Sequence, residues 1–201
     1  MKNPRMTPQR VRIIGGFWRS RLVDIVSVSG LRPSTDRVRE TVFNWLNPYI
    51  ADAKVIDLFA GTGILGLEAC SRGAKEVVLI EKNPLVAKAL QANLEKLKPY
   101  PQNARIECIS MDALQWLKKQ EQIVVDIIFL DPPFDQVGLL EEALQLIALK
   151  TNSDKMPIIY VESSSKLDNE AILGNLPGWV VEKQLVAGAV RANIFRYRNE
   201  Q

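Results

Sequence analysis

The chain has 201 residues, of which 47% are hydrophobic and 24% are charged, and its formal net charge is +3. This length and composition fit one α/β domain. No apolar run reaches the roughly 18 residues of a membrane span, and no signal-peptide core is present, so we expect a cytoplasmic protein without a membrane partner. The chain contains no histidine and two cysteines. This excludes histidine-based catalysis, most zinc chemistry and a disulfide framework, so we expect no metal.

Basic residues are concentrated near the N-terminus. Residues 1–45 contain nine Lys or Arg residues against three acidic ones, a bias that indicates a polyanionic partner. Within this segment, the β-prone residues 11–14 and 21–26 flank Gly15-Gly16, which predicts a β-hairpin. We expect residues 1–30 to form a basic hairpin extension that contacts RNA by phosphate pairing and base stacking. The residues predicted to make this contact are Arg10, Arg12, Trp18, Arg19 and Arg21.

Trp18 also has a second interpretation. A large aromatic side chain in a small hairpin can anchor the hairpin to the body of the protein, and this role is compatible with a place near the RNA. The remaining residues, 31–201, are predicted to form the catalytic domain.

This second part of the chain shows the alternation of an α/β domain. A helix is predicted over residues 35–46, and from residue 54 almost wholly apolar strands alternate with helices, as in a parallel sheet covered on both faces. Residues 179–190 and 192–198 instead have the pattern of two strands joined by a tight turn near Gly188. We therefore predict a doubly wound, mostly parallel sheet with one reversed edge strand.

A glycine-rich loop follows the first strand of the alternation. Gly61, Gly63 and Gly66 have the GxGxxG spacing with which a backbone turns tightly beside a ligand, a spacing that would also suit a nicotinamide dinucleotide. Three acids at the ends of consecutive strands favour S-adenosylmethionine instead, because they match its cationic methionine end, its ribose hydroxyls and its adenine amine. In that order they are Asp57, Glu81 and Asp112, the last followed by Ala113 in the same turn. Asp112 could alternatively be a helix N-cap, and Glu81 a solvated strand end.

The fourth strand of the alternation ends in Asp131-Pro132-Pro133-Phe134. Proline has no N–H donor, so this turn offers acceptors, and the Asp131 carboxylate and the Pro132 carbonyl can hold both hydrogens of one planar amine. Accepting both hydrogens favours a pyramidal nitrogen whose lone pair can attack a sulfonium methyl group. Phe134 offers a face on which a flipped base can stack. We therefore predict an S-adenosylmethionine-dependent methyltransferase of an exocyclic base amine, with RNA the favoured polymer.

These motifs, together with two N-terminal segments, make the chain similar to the bacterial small-subunit (16S) ribosomal RNA guanine-N2 methyltransferases of the RsmD type. The resemblance extends over nearly the whole chain and is carried by residues 12–19, 31–44, 57–63, 131–134 and 160–162. It implies a class I, Rossmann-like methyltransferase fold with a seven-stranded sheet and an N-terminal β-hairpin that helps to grip RNA. It also implies N2-methylation of one guanosine of the small-subunit rRNA, with ribosomal RNA in assembly particles as the partner.

The resemblance also implies roles for individual residues. Asp131 and the Pro132 carbonyl would hold the amine, and Phe134 would stack on the base. Glu81 and Asp112 would bind the ribose and the adenine of the cofactor. The segment 31–44 would lie close to the methionine end and the target base, with the candidates Arg37, Arg39 and Glu40. Arg37 and Arg39 are also predicted to bind the RNA substrate.

Two alternatives remain open at this point. Methyltransferases of DNA adenine or cytosine and of protein glutamine use a similar Asp/Asn-Pro-Pro-aromatic turn, so the turn does not choose between these amines. The chain has no sizeable target-recognition insertion, which weighs against sequence-specific DNA modification. A catalytically idle RNA-binding assembly factor on the same scaffold is the second alternative, and the presence of Asp131, Glu81 and Asp112 together argues against it.

Overall fold

The computed structural model describes residues 9–26, 36–134, 136, 138–151 and 156–198. These residues form a two-stranded antiparallel sheet near the N-terminus and a seven-stranded sheet. The strands are β1 (Gln9–Arg12), β2 (Leu22–Ile25), β3 (Lys54–Asp57), β4 (Glu76–Glu81), β5 (Arg105–Ser110), β6 (Ile127–Leu130), β7 (Ile158–Ser164), β8 (Trp179–Ala187) and β9 (Val190–Tyr197). The helices are α1 (Asp36–Ile50), α2 (Ile64–Ser71), α3 (Pro84–Leu97), α4 (Ala113–Lys119), α5 (Leu139–Lys150) and α6 (Asn169–Leu173).

The large sheet has the strand order β5-β4-β3-β6-β7-β9-β8, and β9 runs antiparallel to both of its neighbours. The predicted fold class is therefore confirmed, but the reversed strand is not at the edge as expected. The chain reverses at Gly188, where φ is +61°, and β9 then pairs with β7 on one side and with β8 on the other. Since β9 carries the buried apolar residues and β8 the exposed polar ones, β8 is the strand that lies at the edge, where charge discourages further pairing.

The large sheet separates two apolar layers. One layer contains the inward-facing residues of the N-terminal hairpin together with those of α1, α2 and α3, and the other is covered by α4, α5 and α6. The hairpin is thus packed against the same layer as the first three helices. The predicted boundary between an RNA-contacting extension and the catalytic domain falls within residues 27–35, outside the described residues, and stays a prediction.

The hairpin is fastened to α2 by two polar side chains of that helix. The carboxylate of Glu68 accepts the backbone N–H groups of Ile14 and Gly15, each at 2.8 Å. The hydroxyl of Ser71 accepts the backbone N–H of Trp18 at 2.9 Å and donates to the Gly15 carbonyl at 2.6 Å. Because α2 begins directly after the glycine-rich loop, the hairpin and that loop are joined through one short helix.

Two helices differ from the sequence expectation. Helix α1 extends to Ile50, beyond the predicted end at residue 46 and with Pro48 in its last turn. Helix α6 was not predicted, because its five residues are too few for a helical period to be recognised. Among the described residues, no helix is both long and apolar enough to cross a membrane.

Candidate active site

Three acids meet at one edge of the large sheet. Asp57 ends β3, Glu81 ends β4, and Asp131 directly follows β6. These three strands are parallel neighbours, with β3 in the middle. Their carboxyl ends therefore form a single crevice, which is where open α/β sheets bind ligands.

The glycine loop lies over this crevice in a conformation that requires glycine. Gly61 and Gly63 have φ values of +53° and +76°, and a Cβ on Gly63 would lie 2.4 Å from a methyl group of Leu90. Glu81 holds the loop, since its Oε2 accepts the Gly61 N–H at 2.8 Å while its Oε1 accepts the Asn83 N–H at 2.7 Å. Each carboxylate oxygen has a second lone pair, so Glu81 retains acceptor capacity for two ribose hydroxyls.

Asp57 lies beneath the loop and is only 1% exposed. Its Oδ2 accepts the Gly66 N–H at the start of α2 at 3.2 Å. Its Oδ1 is buried with no hydrogen-bond partner among the described residues. Burial raises the pKa of Asp57 to about 7. The backbone N–H groups of Gly66 and Phe59 partly offset this rise, and the charge of Glu81 adds to it. The predicted contact with the methionine end stays a prediction, because the structure shows Asp57 supporting the loop from below.

The start of α4 follows β5, which is the neighbour of β4 in the sheet, and the predicted adenine contact falls there. Asp112 is the N-cap of this helix, and its Oδ1 accepts the Gln115 N–H at 3.1 Å. The capping role considered from the sequence is thus present, and it occupies one of the two carboxylate oxygens. Ala113 is the buried first residue of α4, where a backbone N–H has no partner within the helix. An acceptor and a donor at this position suit the amine and a ring nitrogen of adenine.

These residues fit S-adenosylmethionine. The glycine loop turns with positive φ at the edge of the sheet, Glu81 and Asp112 offer acceptors, and three carboxylates at one edge match a cationic ligand. A metal is not implied, and among the described residues no group of three or more His, Cys, Asp or Glu side chains is placed to hold one.

The predicted catalytic turn follows β6 at the same edge. Pro132 is buried, and Phe134 is 48% exposed. The carbonyl of Pro133 accepts the Gln136 N–H at 3.2 Å, so this carbonyl is committed to the turn. The side chain of Gln136 in turn accepts Lys82 Nζ at 3.0 Å. The turn is therefore tied to the residue that follows Glu81, on the cofactor side of the crevice.

A buried pair on β7 completes the site, and the sequence reasoning did not assign it. The Tyr160 hydroxyl donates to Oε2 of Glu162 at 2.8 Å, and both side chains are buried. Burial, together with the charges of Glu162 and Asp57, raises the pKa of Asp131 well above its ordinary value. A signal for this pair was available, because a glutamate that follows the apolar residues Ile158, Ile159 and Val161 in one strand needs a partner. Tyr160 lies two residues away on the same face.

The predicted RNA-contacting residues fall into two groups. Arg39 and Trp18 are fully buried, which corrects the expectation that they contact RNA. Arg39 donates to the Arg12 carbonyl at 2.8 Å and to Asp36 at 3.0 Å. Trp18 packs edge-on against Tyr100, which is the anchoring role considered above. Both side chains hold the hairpin in place.

The other predicted arginines are exposed, and the structure gives them different local partners. Arg10 pairs with Asp24 at 2.8 Å and Arg12 with Asp36 at 2.9 Å. The Arg21 guanidinium donates to the carbonyl of Leu97 at 3.3 Å. Arg19 and Arg37 are exposed and make no ion pair within the described part of the chain, so they carry uncompensated charge. Their contact with RNA stays a prediction.

The chain is similar to known proteins in both sequence and structure. A family model described as "Conserved hypothetical protein 95" matches residues 11–196. The chain is 41% identical over 197 residues to the ribosomal RNA small subunit methyltransferase D of Escherichia coli K12, covering 98% of this chain and 95% of that protein. It is 40% identical over 187 residues to the Haemophilus influenzae protein of the same name, covering 92% and 93%.

Solved structures give the same result. A methyltransferase from Escherichia coli, yhhF, superposes with a TM-score of 0.78 at 41% identity, covering 96% of this chain and all of that one. The Thermus thermophilus 16S rRNA N2 G1207 methyltransferase RsmC, solved with AdoMet and guanosine, has a TM-score of 0.68 at 19% identity, covering 96% of this chain and 50% of that one. The second likeness is one of fold.

Proposed function

The chain belongs to the family described as "Conserved hypothetical protein 95", and on this premise we propose that it methylates N2 of one guanosine in the small-subunit ribosomal RNA. It is a methyltransferase related over nearly its whole length to ribosomal RNA small subunit methyltransferases D, and its cofactor is S-adenosylmethionine. The atom that is methylated and the residues that act on it are the proposed part.

The observation that carries the proposal is the position of the Asp131-Pro132-Pro133-Phe134 turn. It lies at the carboxyl end of β6, next to β3 and the glycine loop. The Pro133 carbonyl accepts the Gln136 N–H within the turn, and the Asp131 carboxylate and the Pro132 carbonyl are the acceptors that we assign to an incoming amine. Phe134, exposed beside them, gives the base a stacking face.

The chemistry follows from these groups. S-adenosylmethionine supplies an electrophilic methyl group on a sulfonium. The lone pair of a guanine N2 amine is delocalised into the ring, and two acceptors on its hydrogens draw the nitrogen towards a pyramidal geometry in which that lone pair is available. Holding the amine in this way contributes mainly by orientation, which can lower a barrier by several kcal/mol.

RNA is the polymer that the hairpin surface favours. Phe17 is 60% exposed at the hairpin turn, next to the uncompensated charge of Arg19, and a stacking face beside a guanidinium suits an unpaired base and its phosphate. The curated relatives are named for small-subunit ribosomal RNA, and the T. thermophilus structural neighbour is named for an N2 guanine of the same RNA.

The experiment is methyl transfer from labelled S-adenosylmethionine to small ribosomal subunits and to free rRNA that lack the modification, followed by digestion and mass spectrometry. We expect N2-methylguanosine from the wild-type protein and none from Asp131→Ala, with cofactor affinity in that variant nearly unchanged. Glu142→Ala, on the exposed side of α5, is the matched control. Label on adenine, cytosine or protein glutamine would show that the substrate is not the proposed guanosine. Cofactor binding without label in any acceptor would favour the idle assembly factor.

A further inference from the structure

Tyr160 and Glu162 lie next to the catalytic turn, and the reaction as described above does not use them. In the β6–β7 ladder, Leu130 is paired with Val161, so the following residues, Asp131 and Glu162, continue the two strands side by side. Side chains alternate along a strand, which places Tyr160 and Glu162 on one face of β7. The 2.8 Å hydrogen bond between them lies on that face.

We propose that Tyr160 and Glu162 are a positioning pair that keeps Asp131 able to take the proton released when the target amine is methylated. This inference rests on the proposed function, since it concerns the same amine. Neither residue of the pair contacts the substrate, because both side chains are buried, and they act through the charge and position of Asp131.

The proton in question follows from the balance of the reaction. When the amine lone pair forms the new C–N bond, the C–S bond breaks and its electron pair stays on sulfur as the neutral thioether. The nitrogen then carries a positive charge and one proton more than the product requires. A carboxylate that already accepts a hydrogen bond from that nitrogen can take the proton and pass it to solvent, which returns the site to its starting charge.

The surroundings of Asp131 make it a better proton acceptor than an ordinary aspartate. Among the described residues, the ionisable groups that act on it are Glu162 on β7 and Asp57 at the end of β3, and both raise its pKa together with burial. Tyr160 acts through Glu162, because its hydroxyl donates to Oε2 of that carboxylate at 2.8 Å and holds it in place. A proton acceptor is most effective when its pKa lies near the working pH, and the negative charge of Glu162 moves Asp131 in that direction.

A purely structural role does not account for the pair. A carboxylate that is buried in a strand costs several kcal/mol unless it is compensated, and the residues before Tyr160 in β7 are apolar. The Tyr160 hydroxyl donates to this carboxylate at 2.8 Å, whereas a pair of apolar side chains would need no such hydrogen bond. A buried negative charge beside the reacting group therefore points to the chemistry of Asp131.

The test is the single-turnover rate of methyl transfer as a function of pH, with RNA lacking the modification and saturating cofactor. We expect the wild-type rate to fall on the acid side as Asp131 is protonated. In Glu162→Gln, which keeps an acceptor for Tyr160, this acid limb should move about one pH unit lower, with a several-fold lower plateau. Tyr160→Phe should move the limb in the same direction by less, and Glu142→Gln should leave it in place.

If the acid limb of the pH–rate profile lies at the wild-type pH in both variants, the inference is overturned and the pair has only a structural role. If Glu162→Gln does not fold, Tyr160→Phe gives the same test.

A second measurement needs no RNA. Proton release on binding S-adenosylmethionine, counted by calorimetry in buffers of different ionisation enthalpy, should be larger for the wild-type protein than for the variants, and smaller with S-adenosylhomocysteine, which lacks the sulfonium charge. Equal release in all cases refutes the pair, whereas failure of methylation alone refutes the proposed RNA substrate.

Discussion

Glu68→Gln tests how the hairpin is held to the rest of the protein. The buried Glu68 carboxylate accepts two backbone N–H groups at 2.8 Å and receives Nε of Arg72 at 2.9 Å. A glutamine keeps one acceptor oxygen, but its NH2 group faces a donor in place of the other oxygen. The substitution also removes the charge that compensates Arg72, whose side chain is largely buried.

The magnitude follows from these contacts. A hydrogen bond to a charged group contributes about 1.5–3 kcal/mol, and breaking a buried ion pair by removing one partner costs about 3–5 kcal/mol. The two terms overlap at one carboxylate, so we expect the free energy of unfolding to fall by about 3–5 kcal/mol, a large part of the total stability of a domain.

The assay is urea denaturation followed by circular dichroism, combined with hydrogen exchange at the amides of Ile14 and Gly15. Glu142→Gln is the control, because the ion pair of Glu142 with Lys118 is solvent-exposed and should contribute less than about 1 kcal/mol. The reasoning is refuted if Glu68→Gln unfolds at the same urea concentration as the wild-type protein and both amides keep their protection.

Three further predictions concern the loop, the hairpin turn and the cofactor. The pKa of Asp57 is about 7 in the folded protein against 3.8 as its ordinary value, so the folded state binds more protons and stability falls as pH rises from about 4 to 7. Asp57→Asn should remove this fall. Urea denaturation should show a free energy of unfolding that is higher than in the wild-type protein by at most about 4 kcal/mol at pH 8 and little changed at pH 4. Gly16→Ala, which places a Cβ 1.9 Å from the Ser71 carbonyl, should lower the melting temperature far more than Gly188→Ala, which has a positive φ but open space; equal losses would contradict this. Glu81→Gln should weaken S-adenosylmethionine binding at least tenfold by calorimetry, and an unchanged affinity would remove Glu81 from the ribose site.

The glycine loop and the acids at the strand ends, Asp57, Glu81 and Asp131, could be predicted because each of these features lies within one strand and the turn that follows it. Strand period, glycine spacing and the position of an acid at a strand end are local properties, and parallel strands bring their carboxyl ends together. The interaction between Asp131 and Glu162 could not be predicted in this way, since it depends on which strand is placed beside β6. The sheet order supplies that information, and the sequence alone does not.

Two errors had signals that were present in the sequence. Arg39 lies three and four residues before Val42 and Phe43, so helical spacing places it on the buried face of α1, although a basic residue in a basic segment suggested the surface. The edge position of β8 was also indicated, because the charged residues Glu182 and Lys183 lie in the middle of that strand, whereas the middle of the following strand, residues 192–195, contains no charged residue. In both cases the position within the element was more informative than the residue type.

The attachment of the hairpin has a consequence for engineering. Glu68 and Ser71 hold main-chain atoms of the hairpin loop, so the fastening does not depend on which side chains that loop presents outward. The side chains of Phe17, Arg19 and Leu22 are exposed, and Phe17 contributes to the attachment only through its backbone N–H, which donates to the Ser71 carbonyl at 2.7 Å. The side chains at these three positions of the hairpin can therefore be varied while its attachment to α2 is kept, and a library built there would change the exposed hairpin surface without changing the catalytic domain.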